Sequence, residues 1–260
     1  MQGRVRRALV TGASSGIGAA FARHLADRGV GLVLVARRED RLRQLADALP
    51  TPVEVLPADL GDPAELARVE ARLGTTDEPV DLLVNNAGAG VYGPFAAQPV
   101  DRQVDLVELN ALAVLRCCRA VLPRLLAQGD GGIINVGSLA GVQPDPYAAT
   151  YGATKAFVRS LSQALHEEVR DRGVTVTLVT PGLTATAFAD AAEGRAPMVS
   201  DRLVMSADAV VTSALRDFAR GRARSVPGVG NRIVASAAAL APRGVTRRVS
   251  ATLHRRMADT

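Results

Sequence analysis

The feature that most constrains the fold of this chain is a regular alternation of short apolar segments with longer segments of helical periodicity. Each short segment is rich in Val, Leu and Ile and almost continuously apolar, as expected for a strand covered on both faces. Strands that alternate with helices predict βαβ units and a parallel sheet. The six candidate strands are residues 8–11, 32–36, 53–57, 82–85, 133–137 and 174–180.

The segments between these strands have the length and periodicity of crossover helices. The candidate helices are residues 16–28, 38–49, 63–73, 101–128, 147–172 and, after the sixth strand, 207–220. No internal repeat or proline-rich linker marks a second domain. We therefore predict that residues 1–260 form one α/β domain, a doubly wound parallel sheet with helices on both faces.

Length and composition exclude several classes of protein. With 260 residues, 48% of them apolar, the chain is long enough to bury a full core. Only residues 8–11 form an apolar run before Gly12, which is too short for a secretory signal, and no run approaches the roughly 20 apolar residues of a membrane span. The adjacent Cys117 and Cys118 cannot readily bridge to each other, so we expect a reducing, cytoplasmic location. The histidines show no metal-ligand spacing with these cysteines, so we expect no metal.

Positive charge is concentrated towards the C-terminus, where residues 221–260 form a basic extension. Residues 216–256 contain ten arginines and one acid, so their net charge is +9 in a chain of net charge +5. No aromatic set or nucleic-acid motif accompanies the arginines, and we expect no nucleic-acid binding. Within this extension, apolar residues repeat at helical spacing: Val245, Val249, Leu253 and Met257. The arginines lie opposite these apolar residues. This amphipathic pattern indicates packing in the core or an oligomer, or contact with an anionic membrane surface.

A glycine-rich segment follows the first candidate strand directly and opens the first candidate helix: Thr11-Gly12-Ala13-Ser14-Ser15-Gly16-Ile17-Gly18. Glycines let a phosphate approach the backbone, and the amides and dipole of a helix N-terminus favour a pyrophosphate. Because these glycines stand between a strand and a helix, the pattern indicates dinucleotide binding. We expect the cofactor to contact Gly12, Ser14, Ser15, Gly16, Ile17 and Gly18.

The second candidate strand ends in Ala36-Arg37-Arg38. An acid at this place binds the ribose 2′-hydroxyl of NAD, whereas an arginine accommodates the 2′-phosphate of NADP. We therefore favour NADP(H) over NAD(H), with Arg37 and Arg38 at the phosphate. The alternative is that these arginines only begin a charged surface helix, in which Glu39 and Asp40 are favourable first-turn acids.

A tyrosine and a lysine stand one helical turn apart in the fifth candidate helix. Lys155 is the single lysine among 31 basic residues, and it follows Tyr151 by four positions. A tyrosine ionises at about pH 10, so it acts near neutrality only when positive charge lowers its pKa. We predict that Lys155 supplies this charge, that Tyr151 is the general acid/base, and that Ser138, just beyond the fifth strand, binds the substrate oxygen.

Together these motifs resemble the short-chain dehydrogenase/reductase family over residues 8–188, and the family's Asn-Asn-Ala-Gly motif matches Asn85-Asn86-Ala87-Gly88. The resemblance implies a single Rossmann-type domain and the NADP(H)-dependent interconversion of a carbonyl and a secondary alcohol. It also implies a homo-oligomer, a dimer or tetramer. Besides Tyr151 and Lys155, the cofactor contacts that it implies are Asp59, Leu60, Asn86, Ala87, Gly88, Pro181, Gly182, Thr184 and Thr186.

The same resemblance implies that Asn110 is the fourth catalytic residue and holds a water beside Lys155. The sequence by itself favours a simpler interpretation, in which an asparagine within a long helix faces solvent or bonds a carbonyl.

Residues 184–205 form a loose, moderately apolar segment that we interpret as a substrate lid, and it favours a hydrophobic carbonyl substrate. The competing hypothesis is a non-catalytic, NADP(H)-binding redox-sensing regulator. Intact Ser138, Tyr151 and Lys155 argue against this regulator, because a protein that only binds the cofactor has little need of all three.

Overall fold

The computed structural model of the chain describes residues 5–185, residues 204–240 and Gly244. Its strands are β1 (Arg7–Thr11), β2 (Gly31–Ala36), β3 (Val53–Pro57), β4 (Leu82–Asn85), β5 (Gly132–Val136), β6 (Thr175–Val179), β7 (Thr184–Ala185), β8 (Met205–Ser206) and β9 (Arg224–Ser225). Its helices are α1 (Gly16–Ala26), α2 (Glu39–Asp47), α3 (Pro63–Gly74), α4 (Val100–Val107), α5 (Ala113–Gln128), α6 (Ala149–Val169), α7 (Ala207–Ala219) and α8 (Val229–Leu240).

Seven of the described strands form one parallel sheet in the order β3-β2-β1-β4-β5-β6-β9. The chain winds from β1 outward to β3, then returns to β4 and winds in the opposite direction to β9. The carboxyl ends of β1 and β4 therefore flank the switch point at which ligands bind in such sheets. All six predicted strands are present, with ends that differ by at most one residue. The doubly wound α/β fold is confirmed.

Alternate residues of each strand enter two different apolar layers, as the period of two in a strand requires. In β1, Val10 lies in the layer that contains Phe21 of α1 and Phe218 of α7. Its neighbour Leu9 lies in the opposite layer with Val121 of α5, together with side chains of α3 and α6. Each fully buried side chain of this size contributes about 1.5–3 kcal/mol. Both layers therefore favour one sheet register, which fixes where the strands end.

The single helix predicted over residues 101–128 is interrupted in the structure. A π-helical turn, Glu108–Leu112, separates α4 from α5, and Asn110 lies within this turn. Such turns insert a residue into an α-helix and are frequent at functional sites. Helical periodicity does not reveal this turn, because its cause is a contact with a distant loop, described below.

The last strand of the sheet, β9, is not among the six candidate strands of the sequence. The turn signal Val226-Pro227-Gly228 follows β9, which pairs with β6 at the edge of the sheet. The buried carboxylate of Asp217 in α7 accepts a hydrogen bond from Oγ of Ser225 at 2.7 Å. This bond holds β9 against α7.

Several predicted features lie outside the described residues. These are Thr186, most of the predicted lid (184–205) and the amphipathic pattern that begins at Val245. Within the basic extension, the structure describes the helix α8 (Val229–Leu240). In the part of the chain that the structure describes, no helix is both long and apolar enough to cross a bilayer.

Candidate active site

The loops that follow β1 and β4 are joined at the switch point of the sheet. Oγ1 of Thr11 accepts hydrogen bonds from the backbone amides of Asn86 and Ala87 at 2.9 and 3.0 Å. The side-chain amide of Asn86 in turn donates to the carbonyl of Thr11 at 3.0 Å. The structure thus brings the glycine-rich loop and the Asn85–Gly88 motif together, as predicted for two parts of one cofactor site.

Two glycines of the first loop are required by close approach of the backbone. Gly12 has a φ of 64°, and a Cβ atom there would lie 2.8 Å from Nδ2 of Asn86. A Cβ atom on Gly18 would collide with the carbonyl oxygen of Gly12. The first turn of α1 contains no acidic residue, and the side chain of its N-cap residue, Ser15, makes no capping hydrogen bond among the described residues. This open cradle fits the pyrophosphate of a dinucleotide.

Arg37 and Arg38 have different partners, which the sequence does not show. The guanidinium of Arg38 donates hydrogen bonds to Oγ of Ser14 at 3.0 Å and of Ser15 at 3.2 Å. The guanidinium of Arg37 instead lies 3.6 Å from the carboxylate of Asp59. Arg38 therefore places its charge over the glycine-rich loop, whereas the charge of Arg37 is partly balanced.

Asp59 and Leu60 follow β3 at the same edge of the sheet. Oδ1 of Asp59 accepts a hydrogen bond from the amide of Gly61 at 2.9 Å, and Leu60 is buried in the layer that contains Leu9. The structure therefore places Asp59 near Arg37, whereas Leu60 packs in the core.

Tyr151 and Lys155 lie in the first two turns of α6 and are both almost completely buried, with exposed fractions of 6% and 5%. Nζ of Lys155 is 5.9 Å from the centre of the Tyr151 ring. Ser138 stands two residues after the end of β5 and makes a side-chain hydrogen bond with Tyr151. The structure thus brings all three predicted catalytic residues to one place.

A glycine lets Ser138 approach α6. Ser138 is the N-cap of the turn Leu139–Gly141, and its Oγ accepts a hydrogen bond from the amide of Ala140 at 3.1 Å. A Cβ atom on Gly141 would lie 2.5 Å from the carbonyl carbon of Lys155. Any side chain at residue 141 would therefore push Ser138 away from Tyr151.

Burial dominates the ionisation of the two central residues. It raises the pKa of Tyr151 to about 12, while the hydrogen bond with Ser138 lowers the pKa and the charge of Asp145 raises it. Burial also lowers the pKa of Lys155 to about 8. In the protein alone, the pKa of Tyr151 is thus shifted in the direction opposite to our prediction. The largest cause is desolvation, which disfavours the charged phenolate.

Asn110 is completely buried, so the predicted alternative of solvent exposure is wrong. Its Oδ1 accepts from the amide of Ala89 at 2.9 Å, and its Nδ2 donates to the carbonyl of Ala89 at 2.9 Å and to Oγ1 of Thr154 at 3.2 Å. The expected bond to a carbonyl is therefore present, but this carbonyl belongs to the loop after β4. A Cβ atom on Gly88 would lie 3.0 Å from Oδ1 of Asn110 and 3.4 Å from Nζ of Lys155. Asn110 thus lies beside Lys155.

Pro181, Gly182 and Thr184 follow β6 and lie next to the loop of Ser138. The carbonyl of Pro181 accepts a hydrogen bond from the amide of Leu139 at 3.1 Å. The side chain of Asn231 in α8 lies against Gly182 so closely that a Cβ atom there would collide with it. The sequence analysis missed Asn231, because no local pattern indicates which loop a residue so late in the chain contacts.

The three tyrosines of the chain, Tyr92, Tyr147 and Tyr151, are brought together by the fold. The ring centres of Tyr92 and Tyr151 are 6.0 Å apart. The carbonyl of Tyr147 accepts a hydrogen bond from the amide of Gly93 at 2.7 Å. The sequence analysis missed Tyr92 and Tyr147, although the scarcity of tyrosine in the chain was a usable signal.

The two cysteines do not belong to a cluster of metal ligands in the described part of the chain. The thiols of Cys117 and Cys118 are buried, and burial raises the pKa of Cys118 to about 12. In the described ranges, no three His, Cys, Asp or Glu side chains lie together as metal ligands.

Comparisons with known proteins agree with this geometry. Residues 6–195 match the family described as short chain dehydrogenase. The chain is 40% identical over 200 residues to sulfoacetaldehyde reductase 2 of Chromohalobacter salexigens, which covers 75% of this chain and 79% of that protein.

Two solved structures are similar over most of the chain. One is a short-chain dehydrogenase from Sphingobium yanoikuyae in complex with NADPH, with 38% identity, a TM-score of 0.81, and coverage of 95% of this chain and 96% of that one. The other is the bulky-bulky ketone specific alcohol dehydrogenase from Comamonas testosteroni, with 37% identity, a TM-score of 0.76 and coverage of 87% of each chain.

Proposed function

The chain belongs to the short-chain dehydrogenase/reductase family and is a nicotinamide-dependent oxidoreductase, and we propose that it interconverts hydrophobic ketones and secondary alcohols with NADP(H). The observation that carries this proposal is the convergence of Ser138, Tyr151 and Lys155 beside the glycine cradle. A regulator that only binds the cofactor does not require such a cluster, and we set that hypothesis aside.

Ser138 and Tyr151 act on the substrate oxygen in the proposed mechanism. Oγ of Ser138 accepts a hydrogen bond from the amide of Ala140. The hydroxyl proton of Ser138 can therefore be donated to the substrate oxygen. Tyr151 gives its proton to the carbonyl oxygen during reduction and takes it from the alcohol during oxidation. When bound, the cofactor supplies or accepts the hydride and, in its oxidised form, adds a positive charge.

The raised pKa of Tyr151 suits the direction of reduction. A phenol with a pKa of about 12 is protonated at neutral pH and ready to act as an acid. Lys155, with a pKa of about 8, is still mostly protonated at neutral pH and stabilises the phenolate that remains. Each unit by which positive charge lowers the pKa of Tyr151 is worth about 1.4 kcal/mol. Oxidation begins when Tyr151 removes the alcohol proton, which requires the phenolate. Oxidation therefore needs more electrostatic stabilisation of the phenolate than reduction does.

We assign Asn110 to the return of this proton. Its side chain ties the loop after β4 to Thr154 of α6, which fixes this loop next to Lys155. The absence of a side chain at Gly88 keeps open the space that faces both Oδ1 of Asn110 and Nζ of Lys155. A water held there connects the ammonium to bulk solvent, so that Lys155 and then Tyr151 are reprotonated.

The preference for NADP(H) rests on Arg38. Its guanidinium and the hydroxyls of Ser14 and Ser15 form one cluster of hydrogen-bonding groups at the glycine loop, which is suited to a 2′-phosphate. A similar chain of known structure was solved with NADPH. The resemblance further assigns Asp59 and Leu60 to the adenine side, and Pro181, Gly182 and Thr184 to the nicotinamide.

A hydrophobic substrate is favoured by the surroundings of Tyr151. It belongs to an apolar cluster with Val91, Leu106 and Ala148, against which Tyr92 packs. The name of the similar Comamonas testosteroni enzyme, which specifies bulky ketones, supports the same substrate class. The decisive experiment is a panel of ketones and aldehydes with the purified protein, followed by NADPH absorbance. Turnover of small charged substrates alone would contradict the proposal.

Self-association is a further part of the proposal. Apolar side chains are exposed along α4, the π-helical turn and α5, and one more is exposed on α6: Val100, Val104, Val107, Leu112, Leu115 and Phe157. A second copy of the chain would cover such a surface. Sedimentation of the purified protein measures this directly, and a monomer at all concentrations would contradict it.

A further inference from the structure

Two loops meet beside Tyr151. One follows β4 and carries Tyr92 and Gly93, and the other precedes α6 and carries Asp145 and Tyr147. The amide of Gly93 donates to the carbonyl of Tyr147 at 2.7 Å, and Tyr147 has a φ of 65°, which is uncommon for a residue with a side chain. The hydrogen bond between the loops holds this backbone conformation, so the wall next to the phenol is well defined.

Asp145 is fixed within this wall by α6. Its carbonyl accepts a hydrogen bond from the amide of Ala148 at 3.1 Å in the turn that starts the helix. A Cβ atom on Gly152 would lie 3.0 Å from Cβ of Asp145. Gly152 follows Tyr151 directly, and the absence of a side chain there lets Asp145 pack on the helix. Asp145 as a whole is half-buried, and its Cβ packs on the turn of α6 that carries Tyr151.

The charge of Asp145 acts on both neighbouring phenols. Burial, the charge of Tyr151 and the charge of Asp145 raise the pKa of Tyr92. For Tyr151, burial raises the pKa, the hydrogen bond with Ser138 lowers it, and Asp145 raises it. Asp145 therefore lies close enough to Tyr92 and Tyr151 for its charge to act on both phenols of the candidate site. Lys155, also close to Tyr151, is positively charged and donates a hydrogen bond to the carbonyl of Val136 at 3.1 Å.

We propose that Asp145 determines substrate specificity: it selects against carbonyl compounds that carry a negative charge near the reacting group and favours neutral or cationic ones. The proposal rests on the proposed function, because it requires that carbonyl reduction takes place at Tyr151. Because Asp145 is only half-buried, salt screens its charge in part, and an unfavourable charge contact is an efficient means of rejecting a substrate.

Three aryl ketones of similar shape test this proposal: acetophenone, para-acetylbenzoate and para-acetylphenyl trimethylammonium. For each, kcat/KM with NADPH is measured in wild type and in Asp145→Asn, which has the same shape without the charge. Relative to acetophenone, we expect the anionic ketone to improve roughly tenfold in the variant and the cationic one to worsen by a similar factor. Comparing each ratio with that of wild type removes the intrinsic reactivity of the ketones.

Two controls separate charge from other effects. Asp145→Glu keeps the charge and is expected to keep the order of the three substrates, whereas Asp47→Asn removes an exposed carboxylate of α2 and is expected to change nothing. Unchanged ratios in Asp145→Asn would overturn the assignment of Asp145 while leaving the proposed function intact. If wild type reduced none of the ketones, the proposed function itself would fail.

The wild-type enzyme provides an independent measurement in case Asp145→Asn does not fold. Added salt weakens the interaction of the carboxylate with charged substrates. The ratio of kcat/KM for the cationic ketone to that for the anionic ketone is therefore expected to fall as the salt concentration rises. A ratio that stays constant would overturn the proposal.

Discussion

The guanidinium of Arg38 lies 3.0 Å from Oγ of Ser14, so two segments that are distant in sequence form one hydrogen-bonding cluster at the start of α1. Its neighbour Arg37 points to Asp59 instead, at 3.6 Å. Two adjacent arginines that look equivalent in the sequence therefore have different electrostatic surroundings. This difference yields the first prediction.

Replacing Arg38 with Asp is expected to weaken NADPH binding about 30- to 100-fold, because the 2′-phosphate loses a charge-assisted hydrogen bond and meets a negative charge. NADH binding should change little, since NADH has no 2′-phosphate. Arg37→Asp should have the smaller effect on NADPH, because Asp59 already balances its charge. Fluorescence titration with both nucleotides measures the Kd values.

Arg43→Asp is the matched control, because Arg43 is an exposed arginine of α2 paired with Glu39. Equal losses of affinity for NADPH and NADH in Arg38→Asp would contradict the role of Arg38 in selecting the cofactor.

Replacing Tyr151 with Phe removes the proton donor without changing the shape of the side chain. Turnover is expected to fall at least about 1,000-fold, as general acid–base catalysis contributes up to roughly 10,000-fold. The Kd for NADPH should stay within a small factor of the wild-type value. Tyr92→Phe, a loss of the same hydroxyl on the neighbouring ring, should retain most of the activity. Comparable losses in both variants would show that the tyrosine cluster has a structural role only.

Replacing Lys155 with Met is expected to abolish activity and to stabilise the protein. Burial lowers the pKa of Lys155 from 10.5 to about 8, so folding costs roughly 3 kcal/mol when the ammonium is charged. The lost hydrogen bond to Val136 offsets about 1 kcal/mol of this gain. Because the folded-state pKa is lowered, the penalty is complete below about pH 8 and disappears as the pH rises through 10.5.

Urea unfolding of wild type and Lys155→Met at pH values below and above this window checks the prediction. The variant should be more stable by roughly 2 kcal/mol near neutral pH, and this advantage should shrink as the pH rises. A difference in stability that does not depend on pH would argue against a buried ammonium.

Replacing Gly141 with Ala should disturb catalysis through Ser138. The new Cβ atom would lie 2.5 Å from the carbonyl carbon of Lys155, so the turn Leu139–Gly141 must move away from α6. We expect a loss of stability of about 1–3 kcal/mol and a fall of about 100-fold in kcat/KM, because Ser138 no longer reaches the substrate oxygen.

Gly74→Ala at the end of α3 is the control, since nothing lies within 4 Å of a Cβ atom there. Denaturation midpoints and kcat/KM are measured for both variants. Full activity of Gly141→Ala would mean that Ser138 does not need this close packing.

The fold could be predicted from the sequence because the information is local. Near-continuous apolar runs such as residues 82–85 indicate strands covered on both faces, and the glycines between the first strand and the first helix indicate a phosphate cradle. The four-residue spacing of Tyr151 and Lys155 needs only a helix to place both on one face. The family match over residues 6–195 confirms the family that these motifs indicated.

The surroundings of each side chain were decided by the tertiary structure. Asn110 is buried because the loop at Ala89 packs on it, and Asp145 lies beside Tyr151 because Gly152 leaves room for it. Burial raises the pKa of Tyr151 in the protein alone, a contribution that the sequence does not reveal, because desolvation depends on everything that packs around the phenol. Spacing along a chain determines which residues share an element, whereas burial and long-range contacts arise only when the elements pack together.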